Sequence, residues 1–304
     1  MKYYKFFLII VFLGNTFNSI SQEWESIFQP KSSNIVQLTD SEYNTYNENY
    51  IITGYFRDSL VFSTHDSLLS TGLSATFLSS LNSNLEPLWI YKIDGEGQEL
   101  RSTFNTDEQG NIYITGMFTE ACNFGNDTIL SSDGIGDIYL AKFNSQGHLL
   151  WINHIGRGES FQTYGNILID NNDDIIFSMD YKDSVIISDN RKDTILFSGP
   201  STSDGSVIMK IDSSGVIYEN SIYNIQSKGD NGATNIYGIK EYNGSYYFSG
   251  RFQDSVFFES GSYESTNSSY DNFLLKTDTD LNDLWVRRTY GSSDDYPGST
   301  TSDQ

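Results

Sequence analysis

Cysteine is almost missing from these 304 residues: there is one, Cys122, so no disulfide can form within the chain. Its run, Cys122-Asn123-Phe124, reads as small-residue packing in a strand. The three histidines, His65, His148 and His154, are scattered, and no Cys/His group has the spacing of a zinc site. Positive charge is also scarce. Eighteen Lys and Arg face 40 Asp and Glu, a formal net charge of −22. Such a chain repels a phosphate backbone and an anionic membrane surface, which argues against nucleic acid as a partner.

Long apolar runs are missing too. Residues 6–13 form the longest one, preceded by Lys2 and Lys5 and followed by Ser19-Ile20-Ser21. That layout is a secretory signal peptide over residues 1–21, with Gln22 as the mature start. A spanning helix needs about 20 apolar residues, so no membrane span is expected after the signal peptide is removed. The sequence therefore places the protein outside the cytoplasm, secreted or on the outer cell surface, with the periplasm as the alternative. What the chain has in quantity is aromatic: 21 Tyr and 20 Phe, with 25 Gly against only four Pro. Large aromatic side chains between frequent turns favour strands over helices.

Internal similarity supplies the organisation. Tyr50-Ile51-Ile52-Thr53-Gly54-Tyr55-Phe56 matches Tyr113-Ile114-Thr115-Gly116-Met117-Phe118 and Tyr247-Phe248-Ser249-Gly250-Arg251-Phe252. A weaker copy is Ile176-Phe177-Ser178-Met179-Asp180-Tyr181. Gly54, Gly116, Met179 and Gly250 are thus equivalent, with successive numbers differing by 62, 63 and 71. A second block follows each of them. Asp137-Ile138-Tyr139-Leu140-Ala141-Lys142-Phe143 matches Asp271-Asn272-Phe273-Leu274-Leu275-Lys276-Thr277, and Val207-Ile208-Met209-Lys210-Ile211 is the third copy. Nine residues beyond Lys142 and Lys276 stand Trp151 and Trp285. Trp89 holds the same place after Ser80, and the third copy has Glu219 instead.

Each unit reads as four short strands. In the second, these are residues 112–118, a short run near 128–130, residues 138–143 and residues 149–155. Turns at Gly110-Asn111, Asp133-Gly134 and Ser145-Gln146-Gly147 punctuate them. Ile112, Ile114 and Phe118 share one face of the first strand. Four strands per unit, repeated, predict an all-β fold: a β-propeller over residues 22–304 with blades of about 62–71 residues. Trp24 precedes Gly54 as Trp89 precedes Gly116, so residues 24–40 read as the last strand of a preceding blade. Ser302-Asp303-Gln304 matches the lead into a new unit. Four units and the start of a fifth are expected, the incomplete opening of a longer array. A four-bladed ring closed by the Trp24 strand is the alternative.

The stretch GNIYITGMF…GDIYLAKFNSQGHLLWINHIG, residues 110–156, closely resembles the SBBP-type β-propeller repeat of secreted proteins from Bacteroidetes-like bacteria. The Tyr-x-x-Gly strand, the Asp-to-Lys strand and the closing Trp–Gly stretch occur in order, and the resemblance covers nearly everything after residue 22. It implies a propeller outside the inner membrane and implies no activity. Met179 for Gly, Ser80 for Lys and Glu219 for Trp depart from the pattern.

No catalytic constellation stands out. The repeated Lys142, Lys210 and Lys276 invite a ring of cations, but recurrence with the repeat favours strand-end pairing. Asp137 and Asp271 precede Lys142 and Lys276 by five, on the opposite strand face. His148 and His154 read as exposed residues of an outer hairpin arm. Asp170-Asn171-Asn172-Asp173-Asp174 and Asp278-Thr279-Asp280 resemble calcium-loop fragments, but neither has Gly at position 6 with Glu at 12. Turn chemistry explains them more simply, and Ca2+ at such a turn is the single cofactor left open. Asp followed by a hydroxyl residue and an aliphatic one recurs at Ser59, Ser67, Thr128, Ser184, Thr194 and Ser255. It resembles an O-glycosylation acceptor motif of exported proteins, and a repeated turn-to-strand junction is the rival reading. Loops 198–204 and 259–270 are rich in Ser, Gly and Tyr and suit a contact surface. The functional expectation is a non-enzymatic binding or adhesion scaffold for an extracellular protein or glycan. A carbohydrate-active enzyme and a purely structural spacer are the alternatives.

Overall fold

The computed structural model describes residues 30–62, 67–125, 127–130, 136–157, 163–189, 194–198 and 204–297. The expected signal peptide over residues 1–21, Trp24, His65, the Asp133-Gly134 turn, most of loop 198–204 and residues 298–304 lie outside the described residues. The fold is all-β and strongly curled. No helix among the described residues is long and apolar enough to cross a membrane.

After the short β1 (Lys31–Ser32), the first unit contains β2 (Val36–Asn44), β3 (Asn49–Phe56), a hairpin of β4 (Ser59–Val61) and β5 (Ser67–Leu69), then β6 (Ala75–Leu81) and β7 (Pro87–Gly95). The second has β8 (Glu99–Thr106), β9 (Ile112–Phe118), the hairpin β10 (Ala121–Phe124) and β11 (Asp127–Leu130), β12 (Asp137–Phe143) and β13 (Leu149–Arg157). The third has β14 (Thr163–Ile169), β15 (Ile175–Lys182), the hairpin β16 (Ser184–Ser188) and β17 (Thr194–Ser198), and β18 (Asp204–Ile211). The long β19 (Ile217–Glu241) ends the third unit and opens the fourth. β20 (Tyr246–Phe258), β21 (Gly261–Glu264), β22 (Asp271–Thr277) and β23 (Asp283–Thr289) complete the fourth.

The pairing corrects the expected make-up of a unit. The antiparallel meanders run β2-β3-β6-β7, β8-β9-β12-β13, β14-β15-β18-β19 and β19-β20-β22-β23. In the second unit the run near Thr128 is therefore not a member of the meander, and Glu99–Thr106 takes its place. The Thr128 run belongs to a hairpin that pairs with the preceding unit, through Cys122↔Gly95, Asn123↔Asp94 and Phe124↔Ile93. The third unit's hairpin does the same through Gly156↔Ile187 and Arg157↔Ile186. The far half of β20 reaches back through Gln226↔Phe257, Ser227↔Val256 and Lys228↔Ser255. β4 pairs with β1. One left-handed residue launches each hairpin: Asp58, Glu120, Asp183 and Asp254, with φ of 64°, 61°, 60° and 59°. It reverses the chain between strand and hairpin, and Asp accepts this conformation because its short side chain bonds locally.

Because units stack, the central strands are buried on both faces rather than one. Every residue of Ile112–Phe118 is buried. Ile112, Ile114 and Phe118 pack with Ile51, Leu78 and Ile93 of the first unit. Tyr113 and Met117, on the other face, pack with Phe177, Met179 and Val207 of the third. A third cluster joins Ile176, Ile208 and Tyr223 to Phe248, Phe252 and Phe273. Burial of this kind contributes about 1.5–3 kcal/mol per large side chain.

The opening strands of the units lie side by side and are joined by side chains. Thr106 donates to Glu42 at 2.7 Å, the Ile169 amide to Asn105 Oδ1 at 3.1 Å, and Asn166 Nδ2 to the Ile236 carbonyl at 2.8 Å. Each of these strands carries a register shift, near Thr39, Arg101-Ser102, Tyr164 and Tyr237. A bulge adds bend and twist, which suits a strongly curled sheet.

Candidate functional site

The signature residues are used by the fold itself. Gly54, Gly116 and Gly250 lie directly opposite Phe77, Tyr139 and Phe273 on the next strand. A Cβ on Gly116 would sit 2.5 Å from Tyr139 Oη, and one on Gly250 would sit 2.3 Å from Phe273 Cζ. At Gly116 and Gly250 the ring of one strand fills the space that glycine leaves on its neighbour, whereas Gly54 lets the backbone of Gln37 and Leu38 approach. In the third unit the pair is exchanged for Met179 opposite Val207, with bulk moved from one strand to the other. Met179 is thus a compensated substitution.

Lys142, Lys210, Trp89 and Trp151 bind turns at the sheet ends. Lys142 Nζ lies 4.0 Å from Asp107 and donates to the Ser213 carbonyl of the next unit at 3.3 Å. Burial lowers its pKa, and the nearby carboxylates offset this only in part. Lys210 lies 3.4 Å from Asp170 and 3.1 Å from Asp174. There burial also disfavours the charge, but Asp174 and Asp170 outweigh it and the pKa rises. Lys276 has its ammonium 5.2 Å from the Tyr247 ring centre. In the first unit Ser80 replaces the lysine, and the corresponding turn is closed by a neutral residue, Asn44, which accepts from the Tyr46 amide. Trp89 Nε1 reaches the Ser145 carbonyl at 3.4 Å and Trp151 Nε1 the Ser213 carbonyl at 3.1 Å, each in the following unit. Gly147 lets its turn pass over Trp89: a Cβ there would come within 2.5 Å of the indole. Trp285 packs on Tyr247 and lies under Arg287.

Other expectations resolve similarly. Asp137 bonds His154 at 2.9 Å, and Asp271 lies 3.8 Å from Arg288, so each carboxylate meets a basic side chain on the adjacent strand. His154 is therefore half-buried beside Phe118 rather than an exposed edge residue, whereas His148 is exposed. Asp170 Oδ1 accepts from the Asn172 and Asp174 amides, and Oδ2 accepts from Tyr246 at 2.6 Å. Burial alone would raise its pKa, but these bonds and Lys210 hold it below the usual range. Asp278 closes its own turn through the Asp280 and Asn282 amides. Among the described residues no three His, Cys, Asp or Glu converge as a metal site. Cys122 is buried in the apolar cluster between the first and second units. Ser59, Ser184 and Ser255 open the launched hairpins and are half-buried, while Ser67 is exposed. Thr128 and Thr194 lie in β11 and β17, with side chains outside the described residues.

A cluster with no spacing motif behind it gathers where the third and fourth units meet. Asp180 on β15 is buried and accepts from Ser206 at 2.6 Å, Asn235 Nδ2 at 3.1 Å and the Ile236 amide at 3.2 Å. Burial pushes its carboxyl up to about 7 despite these donors, and Asp204 adds to the rise. Asn235 in turn accepts from Arg251 Nε at 3.3 Å. The Arg251 guanidinium lies 4.1 Å from the Tyr270 ring centre, 5.3 Å from Tyr237 and 5.6 Å from Tyr296. Tyr237 occupies the bulge of β19, and Tyr270 ends the loop of residues 259–270, which is rich in Ser, Gly and Tyr. The Asp295 amide donates to the Tyr270 carbonyl at 2.7 Å, which brings Tyr296 to the arginine. A buried carboxyl, an amide and a guanidinium thus form one hydrogen-bonded line ending among three rings.

No known protein-family model matches the chain. No curated protein matches it either.

Proposed function

We propose that this chain is a propeller scaffold of the SBBP type, exported by its amino-terminal signal, which binds an extracellular protein or glycan without transforming it. The observation that carries this reading is the repeated device joining the units. A hairpin from each of the last three units pairs with the outer strand of the one before. Lys142, Lys210, Trp89 and Trp151 hold turns of the same or the next unit. Residues that recur with the repeat are committed to rigidity, which supports a framework on which a non-repeating surface does the contacting. The carboxylates of Asp107, Asp170 and Asp278 each bond their own turn, which disfavours a paired acid and base.

The test is a screen of the purified chain against polysaccharide and extracellular-matrix arrays, run beside assays for reducing ends and unsaturated sugar products. Retention of a ligand with no product released is expected. Release of cleaved product would replace the scaffold with the enzyme reading.

A further inference from the structure

We propose that Arg251, with Tyr237, Tyr270 and Tyr296, binds the carboxylate of an acidic sugar. This rests on the scaffold reading and names the ligand class of its contact surface.

The first observation is the state of the arginine. The chain holds 40 acidic residues against 18 basic ones. Lys92, Lys210 and Arg288 each have a carboxylate within 4.0 Å. Arg251 has none among the described residues, and its bonds go to the neutral Asn235 and the rings around it. A guanidinium is a planar fork that matches a carboxylate in two parallel hydrogen bonds. Here it is pre-positioned: Nε is tied to Asn235, Asn235 is tied to buried Asp180, and Tyr270 supports the fork at 4.1 Å. Ordering it on binding costs little, because the order already exists.

The second observation concerns the rings. Tyr237 is 42 % exposed and Tyr296 is 73 % exposed, so both leave ring surface open beside the fork that lies over them. An aromatic face with a phenolic edge suits a body that is apolar on one side and hydroxylated on the other. A pyranose bearing a carboxylate combines those features with the anion.

The third is the break in the repeat. The positions equivalent to Arg251 are Tyr55, Met117 and Asp180. Four different residues at one position of the fold indicate that the fold does not dictate the choice. The overall charge of −22 sets a limit, because a long polyanion is repelled at a distance. A short chain or chain end with few carboxylates is the ligand that fits.

The experiment titrates the full chain with trigalacturonate, its trimethyl ester and acetate by calorimetry at about 0.15 M salt, where the screening length is about 8 Å. The trimer should bind at least about tenfold more tightly than the ester, a difference of about 1.4 kcal/mol. Acetate, which has no ring to stack, should give no signal at the same concentrations. R251Q should abolish trimer binding, and R251K should weaken it, since it retains the charge but loses the fork. Y296A alters an exposed ring, so it should reduce affinity with an unchanged melting temperature. That variant decides the matter if R251Q fails to fold. Equal binding of ester and trimer, acetate binding as well as the trimer, or full affinity in folded R251Q or Y296A would each overturn the assignment. Failure of the native chain to bind the trimer would overturn it too. Capture of a neutral glycan or a protein in the array screen would then leave the scaffold reading standing.

Discussion

Replacing Asp180 with Asn should make the protein more stable at high pH and less stable at low pH, so that the two stability curves cross. Burial moves this carboxyl from its ordinary 3.8 to about 7. A displacement of about 3 pH units corresponds to about 4 kcal/mol of differential stability. The native state holds the proton more tightly than the unfolded chain. The contribution of Asp180 is therefore fully present below about pH 4, declines as pH rises through 7, and is gone by about pH 8. Asn cannot ionise and loses none of it. It has its own defect: one oxygen can still accept from Ser206 and the Ile236 amide, but the new NH2 faces Asn235 Nδ2, donor against donor. That mismatch costs about 1–3 kcal/mol at every pH. Asp180→Asn should then be about 1–3 kcal/mol more stable near pH 8 and about 1–3 kcal/mol less stable near pH 4. Urea unfolding of both proteins across that range reads the difference directly, since every other titrating group is common to both. A difference that stays constant with pH would refute a buried carboxyl of raised pKa.

Further outcomes follow from the repeat contacts. Gly54→Ala should destabilise by about 2–4 kcal/mol, because its Cβ would meet the Gln37 carbonyl oxygen at 2.2 Å and Leu38 Cα at 2.9 Å. Gly116→Ala should cost less, since it meets the tip of a tyrosine, and urea midpoints compare the two. Trp151→Ala removes a half-buried ring and its bond to the Ser213 carbonyl, and should cost about 2–4 kcal/mol by the same measurement. Lys210→Met leaves Asp170 and Asp174 without their cation and should cost about 3 kcal/mol near neutral pH. The loss should shrink in acid as Asp170, whose pKa is held low partly by Lys210, takes up its proton, a trend that unfolding at two pH values exposes.

The strands were legible where apolar residues alternate between turns, as in β9, β12 and β13. β8 was not, because its residues Arg101 to Thr106 are mostly polar. Phe104 enters the core, but the polar residues meet the neighbouring opening strand: Thr103 bonds Asp40 and Thr106 bonds Glu42. The hairpins were visible as short runs, but not their destination. A four-residue strand carries little information about which edge it joins, and the deciding signal is the single left-handed residue after each central strand. In the sequence Asp58, Asp183 and Asp254 stand out by the hydroxyl that follows them, and the structure places them at that reversal. The Arg251 cluster had no spacing to betray it. Asp180, Asn235, Arg251, Tyr270 and Tyr296 come from separate strands and loops: strand pairing sets Asn235 opposite Arg251, and the meeting of the third and fourth units brings Asp180 to them.

The hairpins that reach from one unit to the one before hold the units together, and Cys122 allows a test with one substitution. Cys122 pairs with Gly95 across the two units. Opposite residues of an antiparallel pair share a face at about 4.5–5.5 Å between Cα atoms, within disulfide reach. Gly95→Cys should therefore oxidise to an internal Cys122 disulfide, read as a loss of two alkylatable thiols and about 2 Da in intact mass. A folded Gly95→Cys protein that keeps both thiols alkylatable under oxidising conditions would place the hairpin elsewhere and contradict the joined-unit architecture.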